Sequence, residues 1–299
     1  MTQHGLSRRR VLQIAAALPV VGLSTRAKAS APAAYWRGVA LGASSQIVLA
    51  GLTQGEAAPV FAQVRDEVSR LEGIFSLFQR RSALSLLNQT GHLDAPAPEL
   101  LEVLSLSQSV WNASCGAFDP TIQPTWQARS RGANPAPHRS FSDLRFNATK
   151  VTLALGMALT FNGIAQGYIT DRITALLSRA GLVDAVVDAG EQRATGQRPD
   201  GGPWRVGIAN PAGVLLKQVS LRDRSLATSS SYGTRLAGGA GHIIDARDGL
   251  PATRWSTVSV MHDSAALADA LSTAACCLSV GETDAMLTHF RDARLILRT

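Results

Sequence analysis

Asp269 and Thr273 lie four residues apart in the run Ala265 to Val280, where Leu267, Leu271, Ala274, Ala275 and Leu278 recur at helical spacing. With no Gly or Pro before Gly281, the run predicts a helix that stops there. On it the two side chains point the same way, so a carboxylate and a hydroxyl offer two hard oxygen ligands. That suits Mg2+, which takes few protein oxygens and leaves its other positions to water and phosphates. Asp-x-x-x-Thr alone is weak, because most such pairs are solvated or capping. Upstream, His242 sits in the Gly-flanked segment Gly241-His242-Ile243-Ile244-Asp245. A lone histidine is usually a structural hydrogen-bonder, yet a pKa near about 6.5 makes it a credible proton acceptor. Asp245 either fixes its tautomer or caps the turn at Asp248-Gly249.

These residues stand in an ordered set of motifs. Phe75-Ser76-Leu77-Phe78 leads to Ser82 and Leu87-Asn88, then Gly116-Ala117-Phe118-Asp119-Pro120-Thr121. Asn162-Gly163-Ile164-Ala165-Gln166-Gly167-Tyr168 through Asp171 follows, then Ala227-Thr228-Ser229, the His242 block and the Asp269/Thr273 helix. The set, spanning roughly Gly38 to Gly281, resembles the ApbE family of FAD:protein FMN transferases. The resemblance implies a phosphoryl-type transfer: a threonine hydroxyl of an acceptor flavoprotein attacks FAD, FMN stays on that protein and AMP leaves. FAD is then a co-substrate, which fits the absence of GxGxxG and of a P-loop.

It also implies site roles. Asp269, Thr273 and the Gly163 carbonyl become Mg2+ ligands, with Ser272 as a neighbour. His242 and Asp245 become catalytic. Leu41, Phe78, Ala117, Phe118, Asp119, Thr160, Gln166, Thr228, Ser229 and Ile243 become FAD contacts. Asp119 reads equally as the cap of a turn. Leu41 stands where the family often has Met, and Phe78 where it has Tyr or Trp. Thr160 and Gln166 replace an Asp and a Lys, Gly190-Glu191 replaces Gly-Gly, and Ala246 replaces Pro. These departures bear on FAD affinity more than on reaction type. Similar blocks occur in members linked to nitrous-oxide respiration, which makes a membrane redox subunit the expected acceptor. A non-catalytic FAD carrier, or an FAD pyrophosphatase giving free FMN and AMP, would carry the same residues.

The formal net charge is +7, from 29 basic and 22 acidic residues. Five of the basic ones (Arg8, Arg9, Arg10, Arg26 and Lys28) fall in the first 29 residues, which hold no acid, so the rest carries 24 against 22, a net +2. Nucleic-acid binding thereby loses its main support. Residues 1–29 read as a Tat-type signal peptide: a twin arginine, an apolar stretch from Ile14 to Leu23 too short to span a bilayer, and Ala27-Lys28-Ala29 before Ser30. No cysteine stands at that cleavage site, so a soluble periplasmic protein rather than a lipoprotein is expected. Cys115, Cys276 and Cys277 offer no disulfide framework and read as small core residues.

The elements that must position the motifs can be outlined. Tyr35 to Leu52 predicts a hairpin, Ala57 to Phe75 and Pro96 to Ala113 predict helices, and Pro124 to Ser142 predicts a long surface loop. Val151 to Leu155 and Ala158 to Phe161 read as strands, Ile164 to Ala180 as a helix ended by Gly181. Val183 to Ala189, Trp204 to Ala209, Val214 to Leu226 and the Ile243 and Val258 regions add strands. Many strands joined by short turns predict an α+β fold, mainly antiparallel with helices packed on it, as one domain over residues 30–299. Replacing Arg8 and Arg9 by Lys is expected to hold the precursor in the cytoplasm. Fractionation would show this, and undiminished export of the variant would rule out the Tat route.

Overall fold

The hairpin forms as β1 (Ala33–Ala40) and β2 (Ala43–Ala50) in the computed structural model, which describes residues 31–137 and 139–299. The proposed leader and its cleavage site lie outside the described residues. α1 (Gln54–Phe75) opens with a Thr53/Glu56 capping box and buries Val60, Phe61, Val64, Val68 and Leu71 at three- and four-residue intervals. Next come α2 (Ala83–Thr90), β3 (His92–Asp94), α3 (Pro98–Ala113), α4 (Gln123–Ser130), β4 (Arg145–Phe146), β5 (Lys150–Thr152) and α5 (Ala165–Arg179). The chain continues through β6 (Ala185–Asp188), β7 (Gln192–Thr195), β8 (Trp204–Ala209), β9 (Leu215–Leu221) and β10 (Arg224–Ser229). It ends with β11 (Ile244–Asp245), β12 (Leu250–Pro251), β13 (Val258–His262), α6 (Ala265–Cys277), α7 (Val280–Thr288) and β14 (Arg294–Arg298).

Seven strands build the main sheet in the order β1-β2-β6-β7-β10-β13-β14, with every neighbouring pair antiparallel. The α+β architecture with a mainly antiparallel sheet is therefore observed. Strand alternation divides side chains between two faces. Ile47, Leu49, Ala185, Val187, Val258 and Val260 join the large core beneath the helices. Val48, Val186, Leu226 and Met261 face a smaller cluster covered by the β8–β9 hairpin through Trp204, Val206 and Ile208. Among the described residues no helix is long and apolar enough to cross a membrane.

Several expectations need correction. The segment after Pro120 is not all loop: Pro124 occupies the first turn of α4, where its missing N–H costs nothing. Residues 158–161 do not form a strand. Leu159 is instead clamped by Asn88, which accepts from its N–H at 2.7 Å and donates to its carbonyl at 2.8 Å. The last helical run breaks at Leu278, before Gly281, because Ser279 and Glu282 form a capping box that starts α7. Cys276 and Cys277 are buried as expected, whereas Cys115 is exposed in a left-handed turn with φ of 50°.

α5 and α6 cross closely at Gly167. A Cβ there would stand 2.2 Å from the Ala265 carbonyl oxygen and 2.8 Å from Ala266 Cα. Gly167→Ala should therefore destabilise by about 1–3 kcal/mol through overpacking, despite alanine's better helix propensity. Gly73, with nothing within 4 Å of a Cβ, provides the contrast. Gly73→Ala should stabilise by about 0.5–1 kcal/mol. Denaturant midpoints check both signs.

Candidate functional site

The crossing of α5 and α6 brings the sequence-selected oxygens together. Asp269 is 3% exposed, and its Oδ2 accepts the Gly167 backbone N–H at 3.2 Å. Thr273, one turn on, is half-buried and lies against Gly163: a Cβ on that glycine would stand 3.0 Å from Thr273 Oγ1. Ser229, at the end of β10, places its Oγ 2.7 Å from Ser272 Oγ and 3.1 Å from Thr273 Oγ1. Ser272 Oγ also donates to the Asp269 carbonyl at 3.0 Å. Gly163, Thr273, Ser229 and Ser272 are thus neighbours at one helix crossing, a cradle of hydroxyl oxygens one turn along α6 from the Asp269 carboxylate. Among the described residues no group of three His, Cys, Asp or Glu side chains forms a metal cluster. The donor set is instead one carboxylate with hydroxyls and backbone, which fits Mg2+ and not a soft metal.

A second group borders this cradle. Thr228 N–H donates to Glu191 Oε2 at 3.0 Å, and its hydroxyl pairs with Ser259 Oγ at 2.9 Å. Glu191 is 5% exposed, and its carbonyl accepts from Thr170 of α5 at 3.0 Å. Gln166 packs over Gly190, where a Cβ would come within 2.7 Å of its amide carbon. Nearby Asp188 is fully enclosed, and burial pushes its carboxyl pKa up against the Gly190 N–H and Gln192 amide that it accepts. Sequence reasoning took Glu191 only as a departure from Gly-Gly. Its structural part, joining the β6–β7 turn to β10 and α5, left no periodic signal.

The two remaining motif loops touch each other, since Ala246 N–H points at the Ala117 carbonyl at 3.4 Å. Thr160 N–H donates to the Pro120 carbonyl at 2.8 Å, joining the α5 approach to the same loop. Ala117 and Phe118 are buried. Asp119 caps the turn after it: Oδ1 accepts Thr121 N–H at 2.8 Å and Oδ2 accepts Phe141 N–H at 2.9 Å. Ile243 is buried beside His242, which is half-buried. Thr234 N–H donates to His242 Nδ1 at 3.3 Å. The Asp245 carboxylate goes to Arg247 rather than to this ring, accepting from its Nη2 at 2.7 Å and its backbone N–H at 3.0 Å. Of the two roles open to Asp245, the geometry favours organising its own turn. Leu41 occupies the β1–β2 turn, its N–H held by Glu72 Oε1 at 2.8 Å, and Phe78 is 64% exposed just beyond α1.

Fold and site define an antiparallel α+β protein whose helix crossing gathers one buried carboxylate and several hydroxyls beside two motif loops. The chain belongs to the ApbE family, whose model matches residues 41–297. An FAD:protein FMN transferase of Treponema pallidum is 35% identical over 276 residues, covering 74% of each chain. One from Chlamydia pneumoniae is 27% identical over 247 residues, covering 74% of this chain and 77% of that one. The flavin transferase ApbE of Vibrio cholerae has the same fold, with a TM-score of 0.76 at 22% identity over 89% of this chain and 93% of that one.

His262, at the entry to α6, is buried, and that burial holds its pKa below 6.5 while Nδ1 accepts Ser264 N–H at 2.9 Å. The unfolded chain therefore binds the proton first, and stability present above the ordinary value is lost as pH falls. Melting temperature should drop on moving from about pH 7.5 to about pH 5.5, and drop less in His262→Gln. Equal drops would show that His262 does not set this slope.

Proposed function

We propose that this protein transfers FMN from FAD to a threonine hydroxyl of an acceptor flavoprotein and releases AMP, with Mg2+ held by Asp269, Thr273 and the Gly163 carbonyl. The observation that carries the reading is the convergence of those three residues with Ser229 and Ser272 at one helix crossing. Membership of the family and two relatives named FAD:protein FMN transferase support it. When bound, the cation supplies charge neutralisation for a pyrophosphate meeting an incoming oxygen.

The chain's own residues do the rest. Ala117, Phe118 and Ile243, with Leu41 and Phe78, offer apolar surface for the flavin and adenine rings. The Thr228 and Ser229 hydroxyls, with Thr160 and Gln166, offer neutral hydrogen bonds to phosphate, ribose or adenine. His242 takes the proton of the acceptor threonine as its oxygen bonds to the flavin-side phosphorus and the bond to AMP breaks. An exported, soluble, periplasmic enzyme acting on a membrane redox subunit accords with the leader-like residues 1–29.

Purified mature protein given FAD, Mg2+ and an acceptor fragment should leave FMN covalently on one threonine, read by intact mass. Chelator and Asp269→Ala should abolish the product, and Thr273→Ala should weaken it less because water can fill that position. His242→Ala should keep FAD binding and slow transfer by about 10²–10⁴-fold. FAD that binds but stays whole with every acceptor would identify a carrier. Free FMN with AMP would identify a pyrophosphatase.

A further inference from the structure

Asp171, in the second turn of α5, spends its carboxylate on the start of α6. Oδ1 accepts Ala265 N–H at 2.9 Å, while Oδ2 accepts Ala266 N–H at 3.1 Å and the Ser264 hydroxyl at 2.7 Å. These are backbone donors that a helix leaves without internal partners, and a carboxylate there also meets the positive end of the helix dipole. Ser264 is itself the N-cap, its Oγ accepting Leu267 N–H at 3.3 Å. Behind the carboxylate, Arg193 of β7 donates to Oδ1 at 2.8 Å. The same guanidinium donates to the Asp263 carbonyl and reaches Ser225 Oγ of β10 at 3.3 Å. The cap is thereby anchored to the sheet as well as to α5.

Gly167 lies four residues before Asp171, on the same face of α5. Its N–H holds Asp269 Oδ2, and its bare Cα admits the Ala265 carbonyl. α5 therefore grips α6 at two points one turn apart, at residues 264–266 through Asp171 and at residue 269 through Gly167. α6 also packs on β10, β13 and α3, and these two hydrogen-bonded grips add a defined register along α5 to that packing. Asp269 and Thr273 follow the upper grip by one and two turns.

We propose that Asp171 is a positioning residue for the cation-binding pair: by capping α6 it sets where the Asp269 and Thr273 oxygens rest relative to Gly163. The inference rests on the transferase reading above. Any lost cap lowers stability, so a melting temperature alone says nothing about positioning. Metal response separates the two, because partners that orient metal ligands cost about 10–100-fold in metal affinity or activity when removed.

The experiment uses full-length mature protein saturated with FAD. Two quantities are read: the Mg2+ concentration giving half of the metal-induced rise in melting temperature, and that giving half-maximal FMN transfer. Asp171→Asn, which keeps one acceptor oxygen and removes the charge, should raise both by about tenfold. The turnover number at saturating Mg2+ should change less than about twofold, since no reacting group is touched. Tyr168→Phe is the control: it removes the hydrogen bond from Tyr168 of α5 to Glu102 of α3 and leaves the α6 contacts intact. It should lower the melting temperature without moving either Mg2+ midpoint. An Asp171→Asn protein that melts lower yet titrates Mg2+ like wild type would overturn the proposal, as would an equal shift in Tyr168→Phe. If Asp171→Asn does not fold, Ser264→Gly deletes one of the four contacts and keeps a tolerated cap residue. It should still shift both midpoints by about two- to threefold, and an unchanged titration would again overturn the proposal. Wild-type protein with neither a Mg2+ response nor transfer would remove the transferase reading itself, and this inference with it.

Discussion

The site depends on how near two helices can come. Asp269 is buried, and a buried carboxylate is tolerated only where something donates to it. One donor is the backbone N–H of Gly167 at 3.2 Å, brought within reach where α5 carries no side chain at the crossing. Any Cβ at that position would meet the Ala265 carbonyl and push α6 away, disturbing that hydrogen bond and the closeness of Thr273 to Gly163 together. Packing and electrostatics are here one constraint, since the same missing methyl group satisfies both.

The sheet beneath adapts to that closeness. α6 is built from Ala, Ser, Thr, Cys and two leucines around its single acid, and eleven of its thirteen residues are buried, so it behaves as an interior helix rather than an amphipathic one. Under it β10 presents Ser225, Ala227 and Ser229 on one face, all buried. Small side chains on both partners let helix and strand approach until Ser229 can reach Ser272 and Thr273. A Leu-rich helix would add apolar burial worth about 1.5–3 kcal/mol per side chain. It would also hold the hydroxyls out of reach of one another. Composition at this layer serves distance before hydrophobicity.

Helical spacing put Asp269 and Thr273 on one face of α6, while their proposed role, like those of Gly163 and Gln166 at the start of α5, came from the ordered set of motifs and the resemblance it carries. The fold class followed from strand count and turn spacing. What failed to read was decided by competing partners, one distant and others close by. Ala158 to Phe161 has strand composition, but Asn88, 71 residues away in sequence, takes both backbone groups of Leu159. The break at Leu278 is set by a capping box that begins one residue further on, at Ser279, which outweighed continuing apolar periodicity. For Asp245 the sequence left two roles open, a partner for His242 and a cap for its own turn. Arg247, with several donors in a rigid fork, wins that carboxylate.

Charge in the cradle sets what it can bind unaided. Asp269 and Glu191 are buried acids, Asp188 is held toward its neutral form by burial, and Gln166 brings only an amide to the first turn of α5. None of these residues is cationic, nor are Gly163, Ser229, Ser272 and Thr273. A pyrophosphate entering such a place would meet like charge and neutral dipoles, and hydrogen bonds from neutral groups offset only part of the cost of dehydrating it. In the proposed transfer, that positive charge is supplied by a cation on Asp269. A lysine at position 166 would have supplied some of that charge permanently. With glutamine there, the proposed transfer depends the more on a cation at the neighbouring oxygens, and so on the geometry that fixes Asp269.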